Sequence, residues 1–586
     1  MSEAISRSTG KTEIAVLIVG AGAAGLTLAL ELERFGVPYR IIAQHAEPPD
    51  AAPATAIHAR TLEIFRQLGI ADRMIAAGKQ IRRFRADARG RTILHYHFEP
   101  LDSAYPFQLN LPQPRAEAIL LDELEARGDR VEWKTRLTGF VQTERRVTAE
   151  LVHDRGGRET VTCEWLVGCD GPRSAVREAL GVKFHGDSSH GHFVQADVDI
   201  AWGGDRDEDA VFLGAKPGYV ACTPLDHVGR YRLSVEVPVG LAPGAEPPTF
   251  DLAAFQALCE GRGQRLRLSN AGSTTIAAFP HRRTDRQHVG RVFLVGDAAH
   301  IGSPLGGQYL NLGIAEAHNL GWKLACVHGG AASRNLLDSY DPEQLPAVAM
   351  VEHTAQVLTR ILTLAQPLLV RARDFVLPRV SGLGGLSRRL PWMISGHRYH
   401  YRTSPIVWDA RGALTWRERR TRAASGHGGP VPSAGELAPD LALWYAESGP
   451  PQRLIDLYDG RFTLLLFAAG VPSAHGARSL VGLGARLERE YPWIGAHLVL
   501  DAVEPPALHA AIAVVLDPDL RLHRRYAADS GPIVLIRPDG YIAFIGTRST
   551  ELREYLEKRS ELRRAAPHAH AGLTPVQPLT RAQRVR

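Results

Sequence analysis

Ile14-Ala15-Val16-Leu17-Ile18-Val19-Gly20-Ala21-Gly22-Ala23-Ala24-Gly25 decides the fold: six apolar residues run directly into a glycine turn, and a helical stretch continues to Phe35. Unbroken apolarity of this length suits a strand covered on both faces of a parallel sheet. Each glycine has its own task. Gly20 permits the tight turn, Gly22 lets a pyrophosphate reach the helix N-terminus, and Gly25 allows helix to pack closely on strand. In this strand-turn-helix setting the G-x-G-x-x-G spacing predicts an α/β domain that holds a dinucleotide through Gly20, Gly22, Ala23, Ala24 and Gly25.

Two more strands end in chemically marked turns. Trp165-Leu166-Val167-Gly168-Cys169-Asp170-Gly171-Pro172-Arg173-Ser174 closes in an Asp-Gly turn that opens a helix, where Asp170 is either a cap or a cofactor ligand. Gly290-Arg291-Val292-Phe293-Leu294-Val295-Gly296-Asp297-Ala298-Ala299-His300 continues through Ser303-Pro304-Leu305-Gly306-Gly307-Gln308-Tyr309-Leu310-Asn311. Asp297 stands at the carboxyl end of its strand, where open α/β sheets bind ligands, and can accept a hydrogen bond from a ribityl or sugar hydroxyl. The Gly306-Gly307 turn lets backbone approach a flat ring. A helix from roughly Asn311 to Val327, with Leu312, Ala315, Leu320 and Leu324 in the core, points its N-terminus at that ring. It favours negative charge there, such as a reduced flavin carries at N1 and O2.

At 586 residues and 45% hydrophobic composition the chain can build several domain-sized cores. The formal charge of +6 and pI near 9.1 come mostly from dispersed Arg, bunched at Arg417 to Arg422 and Arg581 to Arg586. No nucleic-acid motif accompanies this charge, so it is expected to be solvated surface with some attraction for an anionic cofactor or a carboxylated substrate. Cys163, Cys169, Cys222, Cys259 and Cys326 show neither metal-ligand spacing nor C-x-x-C and read as reduced core thiols of a cytoplasmic protein. Met1 to Glu13 has no apolar leader segment, and no uncharged run approaches the ~20 residues that span a bilayer, so no membrane partner is expected. Ile361 to Val376, interrupted by Arg371, Arg373 and Asp374, reads as a buried helix.

The order of the three turns resembles the class A flavoprotein monooxygenases, the single-component aromatic hydroxylases, over nearly the whole chain. His58-Ala59-Arg60-Thr61-Leu62-Glu63, Leu111-Pro112-Gln113-Pro114-Arg115 and Asn319-Leu320-Gly321-Trp322-Lys323-Leu324 add to the likeness. The resemblance implies tightly held FAD, reduced by NADPH or NADH, and a flavin C4a-hydroperoxide that passes one oxygen atom to a small aromatic or phenolic substrate, a polycyclic polyketide among the candidates. Carried over residue by residue, FAD contacts fall on the glycine turn, Ala43, Gln44, Gln113, Asp170, Asp297, Pro304, Gly307, Gln308, Tyr309, Leu310 and Asn311.

The resemblance also implies the layout. A Rossmann-like FAD-binding domain takes 1–74, 112–183 and 281–400, and a mixed or antiparallel β-sheet substrate domain takes 75–111 and 184–280. A linker follows over 401–435, then a thioredoxin-like domain over 436–564 and a disordered tail over 565–586. No cysteine follows Cys326, which removes thiol chemistry from the thioredoxin-like domain and leaves packing or a homodimer contact as its use.

Three positions depart from the family pattern. Ala43 replaces the Glu that holds the adenosine ribose, with Gln44 or Glu47 as substitutes; Pro53 replaces an Arg; and Tyr309 replaces the middle glycine of Gly-Gln-Gly. Its ring would stack near the flavin, narrow the pocket or displace the isoalloxazine. These departures motivate a second expectation, a same-scaffold enzyme for Baeyer–Villiger oxidation or non-redox cyclisation with the flavin structural or lost. Phenol hydroxylation gains from a general base near pKa 7. His58, Tyr219, Tyr231 and Arg232 are candidate pocket residues, the catalytic base stays unassigned, and nothing points to a hydrolytic triad or a metal.

Overall fold

The structure is a computed structural model that describes residues 14–48, 54–88, 91–99, 101–187, 192–202, 210–214, 219–225, 229–237, 251–261, 265–272, 274–278, 281–302, 307–362, 364, 366–382, 385–412, 431–445, 452–468, 474–502, 511–528 and 531–565. Strand β1 (Ile14–Val19) is buried at every position and leads into helix α1 (Ala23–Arg34). It pairs in parallel with β2 (Tyr39–Ile42) on one side and β3 (Arg158–Gly168) on the other, and β3 pairs in parallel with β4 (Val292–Leu294). Val19 stands opposite Gly168, and Gly168 opposite Leu294. Parallel pairing in this register puts Gly20, Asp170 and Asp297 at one sheet edge although well over a hundred residues separate each from the next.

One face of this sheet is covered by α1, by α3 (Gln113–Ala126), which comes after α2 (Ala59–Gln67), and by α4 (Gln308–His328). Helix α4 starts three residues earlier than its apolar periodicity suggests, because Gly307 caps it in the left-handed conformation at φ 61°. Leu312, Ala315, Leu320 and Leu324 are buried as expected. Gly321 fits α4 against α1 so closely that a Cβ there would stand 2.7 Å from Glu31 Cβ. Glu31 is buried at that contact, which by itself would raise its pKa, but Arg34 and His318 draw it down to about 2.

A second sheet joins Leu266–Ser269, His192–Trp202, Arg230–Val237, Tyr219–Pro224, Ala210–Gly214, Arg83–Ala88 and Arg91–His97, with Thr275–Ala278 beside His192–Trp202. Its pairings are antiparallel except between Ala210–Gly214 and Arg83–Ala88. Helices α5 (Tyr340–Leu362), α6 (Pro367–Gly382) and α7 (Gly385–Ile394) follow α4, the last two packing on Arg91–His97. Ile361 to Val376 is not one buried helix. It spans the end of α5 and the start of α6, and Leu368 and Phe375 are 78% and 59% exposed, because three charges in the run leave α6 a face turned to solvent.

The last sheet runs Trp408–Asp409, Ile542–Gly546, Ile533–Ile536, Phe462–Phe467, Ile494–Leu500, Ala513–Leu516, Ala442–Tyr445 and Gln452–Arg453. Trp408 and Asp409 pair with Phe544 and Ile545, so the first part of the expected linker is an edge of this sheet, held there by burial of Tyr401, Ile406 and Val407. A fully buried charge cluster fastens the sheet to α4 and α5. Arg537 donates to Glu343 at 2.6 and 3.0 Å and pairs with Asp539, while Lys323 reaches Glu343 at 2.7 Å. Asn319 bridges Glu343 and Asp539 at 2.9 and 2.8 Å.

Candidate functional site

The three turns frame a cavity of about 920 Å³ that continues between the second sheet and helices α5 to α7. The glycines of the first turn separate by cause. A Cβ on Gly20, at φ 111°, would stand 2.2 Å from the Cys169 carbonyl oxygen, and one on Gly25 would stand 2.0 Å from Gly20 O. Protein packing alone demands both. Gly22 is different, since the nearest atom to its Cβ position is Glu117 Oε1 at 3.5 Å, and it faces the cavity. Protein atoms leave that space open, as a pyrophosphate approaching α1 requires.

The donors and acceptors at this edge suit FAD. Asp170 Oδ2 accepts from Val176 N at 3.2 Å, whereas Oδ1 is buried with no hydrogen-bond partner among the described residues although the residue lines the cavity. Asp297 opens into the cavity, and its depth in the protein raises its pKa, as burial also does for Asp170. Two carboxylates with open oxygens match a ligand rich in hydroxyls. Behind Asp297, Glu316 accepts from Gly296 N and His300 Nε2, both at 2.8 Å, and fixes the turn.

Gln308, Tyr309 and Leu310 form the first turn of α4 and line the cavity, as does Gly307. Their amides precede the first intrahelical acceptors and are available to an anion. Asn311 has another role: its Oδ1 accepts from His58 N at 2.8 Å and Thr61 Oγ1 at 2.7 Å, and its Nδ2 donates to Ala56 O and Gly307 O. Both ends of its amide serve the turn and not a cofactor. Gln113 lines the cavity and donates to Glu117 Oε1 at 2.8 Å. Pro304 and Pro53 lie outside the described residues.

Ala43 lines the cavity with Gln44, His45 and Glu47. Its backbone is fixed to the segment after α3, with Ala43 N on Glu132 O at 3.0 Å and Thr135 N on Ala43 O at 2.9 Å. That pairing brings Trp133 and Arg136 to the same wall, residues sequence reasoning missed. Glu117 was missed as well, although its spacing of four from Gln113 on one helix face is a readable signal.

Tyr309 packs its ring on Gly302, where a Cβ would meet its Oη at 2.2 Å. It tilts against the His300 ring at 5.8 Å between centroids and joins a cluster of Leu312, Val348, Val351 and Tyr399. The ring is thus a wall of the cavity, anchored on α5. The other candidates are elsewhere. His58 is fully buried as the N-cap of α2, Tyr231 lies in the core of the second sheet, and Arg232 is engaged by Asp197 at 2.8 and 3.1 Å; none lines the cavity. Tyr219 opens a strand, and its side chain is outside what is described.

The half of the cavity away from the glycine turn is mainly apolar, with Phe84, Tyr96, Ala221, Ile301, Leu358 and Met393 among its walls. Polar groups there are few: Gln108, Gln195, Thr223 and Ser234 from strands, and His353, Thr354 and Arg398 from the helical side.

A family model described as an FAD binding domain matches residues 13–355. The chain is 34% identical over 542 residues to 6-methylpretetramide 4-monooxygenase of Streptomyces rimosus, covering 91% of each. It is 30% identical to pentachlorophenol 4-monooxygenase of Sphingobium chlorophenolicum, covering 90% of this chain and 93% of that one. Among solved structures, the OxyS anhydrotetracycline hydroxylase from Streptomyces rimosus superposes with a TM-score of 0.69 at 26% identity, covering 94% of this chain and all of that one.

Proposed function

The chain belongs to the FAD-binding-domain family of flavoprotein aromatic monooxygenases, and on that footing we propose that the apolar half of its cavity takes a polycyclic phenol for hydroxylation. It is an FAD-dependent monooxygenase with NAD(P)H and O2 as co-substrates. The observation that carries the substrate reading is the single continuous cavity, whose nucleotide turns open directly into an apolar chamber between sheet and helices. Flat fused rings suit such walls, and a few polar groups suffice to orient hydroxyls. The relatives are named as monooxygenases and the solved OxyS as a hydroxylase, so Baeyer–Villiger or non-redox chemistry is not favoured.

Bound FAD supplies the redox chemistry, taking electrons from NAD(P)H and activating O2. The protein's own residues bind and orient. Gly22 and Ala24 would present the α1 N-terminus to the pyrophosphate, with the Ala23 amide held by Glu117, Asp170 and Asp297 would accept from hydroxyls, and the first turn of α4 would favour negative charge on the ring system. Trp133, Arg136 and Gln44 would hold the adenosine end, where Ala43 offers no acceptor. Phe84, Tyr96, Leu358 and Met393 exclude water from the reacting ring, which limits wasteful release of peroxide.

We read the domains as the sequence divides them, except that 401–412 goes with the C-terminal sheet, taken as a thioredoxin-like unit without redox thiols. The free, largely buried cysteines support a cytoplasmic setting. That C-terminal unit is the surface we would assign to a homodimer. The test is the visible spectrum of the purified protein, followed by NAD(P)H oxidation with and without polycyclic phenols and mass analysis of product. Substrate-stimulated oxidation with gain of one oxygen atom is expected. A colourless protein that fails to take up added FAD sinks the reading.

A further inference from the structure

Six of the seven large apolar side chains that stand exposed among the described residues fall in one stretch: Val357, Leu368, Leu369, Phe375, Val376 and Trp392. Single exposed apolar residues are ordinary, but a cluster marks a contact surface. On α6 the spacing sorts the faces. Val370, Arg373 and Leu377, at i, i+3 and i+7, turn inward, the first two buried and the third on the cavity wall. Leu368, Ala372, Phe375 and Arg379, at i, i+4, i+7 and i+11, form an exposed outer stripe. Helices α6 and α7 both pack on Arg91–His97, so this stripe and Trp392 point away from that strand.

The charge around the stripe has one sign. Between Val357 and Ile394 the sequence holds six arginines and a single acid, Asp374. Arg360, Arg371 and Arg379 are exposed, whereas Asp374 is half-buried and paired with Arg373 at 2.7 Å. Glu352, on the preceding turns of α5, is met by Arg283 at 3.4 Å. The patch also reaches the cavity. Val357 lines it, as do Leu377 of α6 and Met393 beside Trp392, and Arg373 Nη1 ties α6 to the end of α5 by donating to Ile361 O at 3.1 Å.

An outer face of Leu, Phe, Val and Trp flanked by Arg is the pattern of a helix lying in the plane of a bilayer surface, its apolar side among acyl chains and its cations at the headgroups. A second copy of the chain would set arginine against arginine across the contact, which is repulsive. Anionic headgroups supply the opposite sign. No helix among the described residues is long and apolar enough to cross a membrane, so the contact lies at the surface. We propose that α6, with Val357 and Trp392 on its flanks, rests on an anionic lipid surface from which the cavity takes its substrate. A polycyclic phenol partitions into the same layer. Val357 and Met393, shared between patch and cavity wall, give it an apolar path inward. The delivery step rests on the cavity being a phenol site; the lipid contact does not.

The test sediments the FAD-loaded full chain with vesicles of phosphatidylcholine alone and of phosphatidylcholine mixed with phosphatidylglycerol in equal parts. Wild type should bind the mixed vesicles at least about tenfold more tightly than the neutral ones, and added salt should weaken that binding. Arg360→Gln with Arg371→Gln should lower it roughly 30-fold, and Leu368→Glu with Phe375→Glu should abolish it. All four positions are exposed, so flavin content and melting temperature should stay at wild-type values; the milder pair Leu368→Ser with Phe375→Ser repeats the apolar arm if they do not. Absence of binding to either vesicle, or equal binding to both, overturns the lipid contact. A wild-type dimer in sedimentation velocity that the Leu368→Glu, Phe375→Glu pair splits overturns it in favour of a second copy. Alizarin, a coloured polycyclic phenol, should pass from mixed vesicles to wild type faster than to that pair, and equal transfer overturns the delivery step. Failure of wild type to bind free alizarin overturns the phenol-site reading and delivery with it, while the vesicle result decides the lipid contact separately.

Discussion

Glu117 Oε1 accepts a hydrogen bond from Ala23 N at 3.0 Å, so a buried carboxylate of α3 occupies the first amide of the helix that faces the pyrophosphate. Burial raises its pKa, with Gln113 and the Ala23 amide partly opposing the rise. A carboxyl whose folded pKa is raised holds its proton more tightly when folded. Its burial therefore costs stability above that pKa, and the cost fades as pH falls toward the ordinary carboxylate range. Glu117→Gln keeps the acceptor and removes the charge. It should melt above wild type at neutral pH, with the gap closing on acidification, and should bind FAD more tightly because a pyrophosphate no longer meets a carboxylate. Calorimetry across pH checks the first part and flavin fluorescence the second; a gap that does not change with pH would show that burial does not shift Glu117.

The glycine turn allows two substitutions with opposite consequences. Gly20→Ala forces a Cβ against the Cys169 carbonyl from a left-handed backbone, so it should cost more than about 2 kcal/mol or prevent folding. Gly22→Ala meets only ordinary contact, at an extended φ of −79°, and should leave stability within about 0.5 kcal/mol. Its methyl fills the space kept for the pyrophosphate, so FAD should be lost from a protein that melts normally. Denaturation and flavin content, measured on both variants, separate packing from binding.

What the sequence could tell follows from how local each signal is. The turns at Gly20, Asp170 and Asp297 were readable because a strand and its turn are adjacent in the chain, and parallel pairing then puts their ends together. Trp133 and Arg136 were not, because they reach the cavity only through the pairing of Ala43 with Glu132 and Thr135 across the sheet edge. Asn311 sits at a helix start that reads as a cofactor contact and His58 in a family segment that reads as a candidate pocket residue, yet the Asn311 side chain accepts from the His58 amide. Periodicity cannot distinguish a polar residue that serves the ligand from one that serves the turn beneath it.

Glu343 should be the most sensitive position between the FAD domain and the C-terminal sheet. It receives Arg537, Lys323, Asn319 and Ser404, all inside the protein. Glu343→Ala leaves Lys323 buried without its carboxylate and Arg537 with Asp539 alone, a loss of about 3–5 kcal/mol. Urea unfolding should show that loss in both halves of the chain together, since Arg537 and Lys323 come from opposite sides of the contact. An unchanged midpoint would mean that water enters to solvate the cluster.

Ala43→Glu puts an acceptor on the cavity wall beside β2, where we propose that the adenosine end of the cofactor lies. The backbone there is tied on both sides, so the new side chain extends into the cavity without moving the strand. A charge-assisted hydrogen bond to a sugar hydroxyl contributes about 1.5–3 kcal/mol, which corresponds to FAD affinity rising roughly tenfold to a hundredfold. Titration of the apoprotein with FAD measures it. No gain would mean that Gln44 or Glu47, on the same wall, already fills the role.

Tyr309 links the two halves of the cavity, with its ring on Gly302 and its edge in the Leu312, Val348, Val351 and Tyr399 cluster. Tyr309→Gly removes that ring from the first turn of α4 and enlarges the cavity beside it. Burial of an aromatic ring and helix propensity both disappear, so stability should fall by about 2–4 kcal/mol. The enlarged chamber should admit bulkier phenols, at the cost of looser positioning and more NAD(P)H oxidised without product. Tyr309→Phe keeps the ring and the packing and removes only the hydroxyl, so it should match wild type in stability and in the ratio of product to NAD(P)H consumed. If Tyr309→Phe uncouples as strongly as Tyr309→Gly, the hydroxyl and not the wall is what the reaction uses.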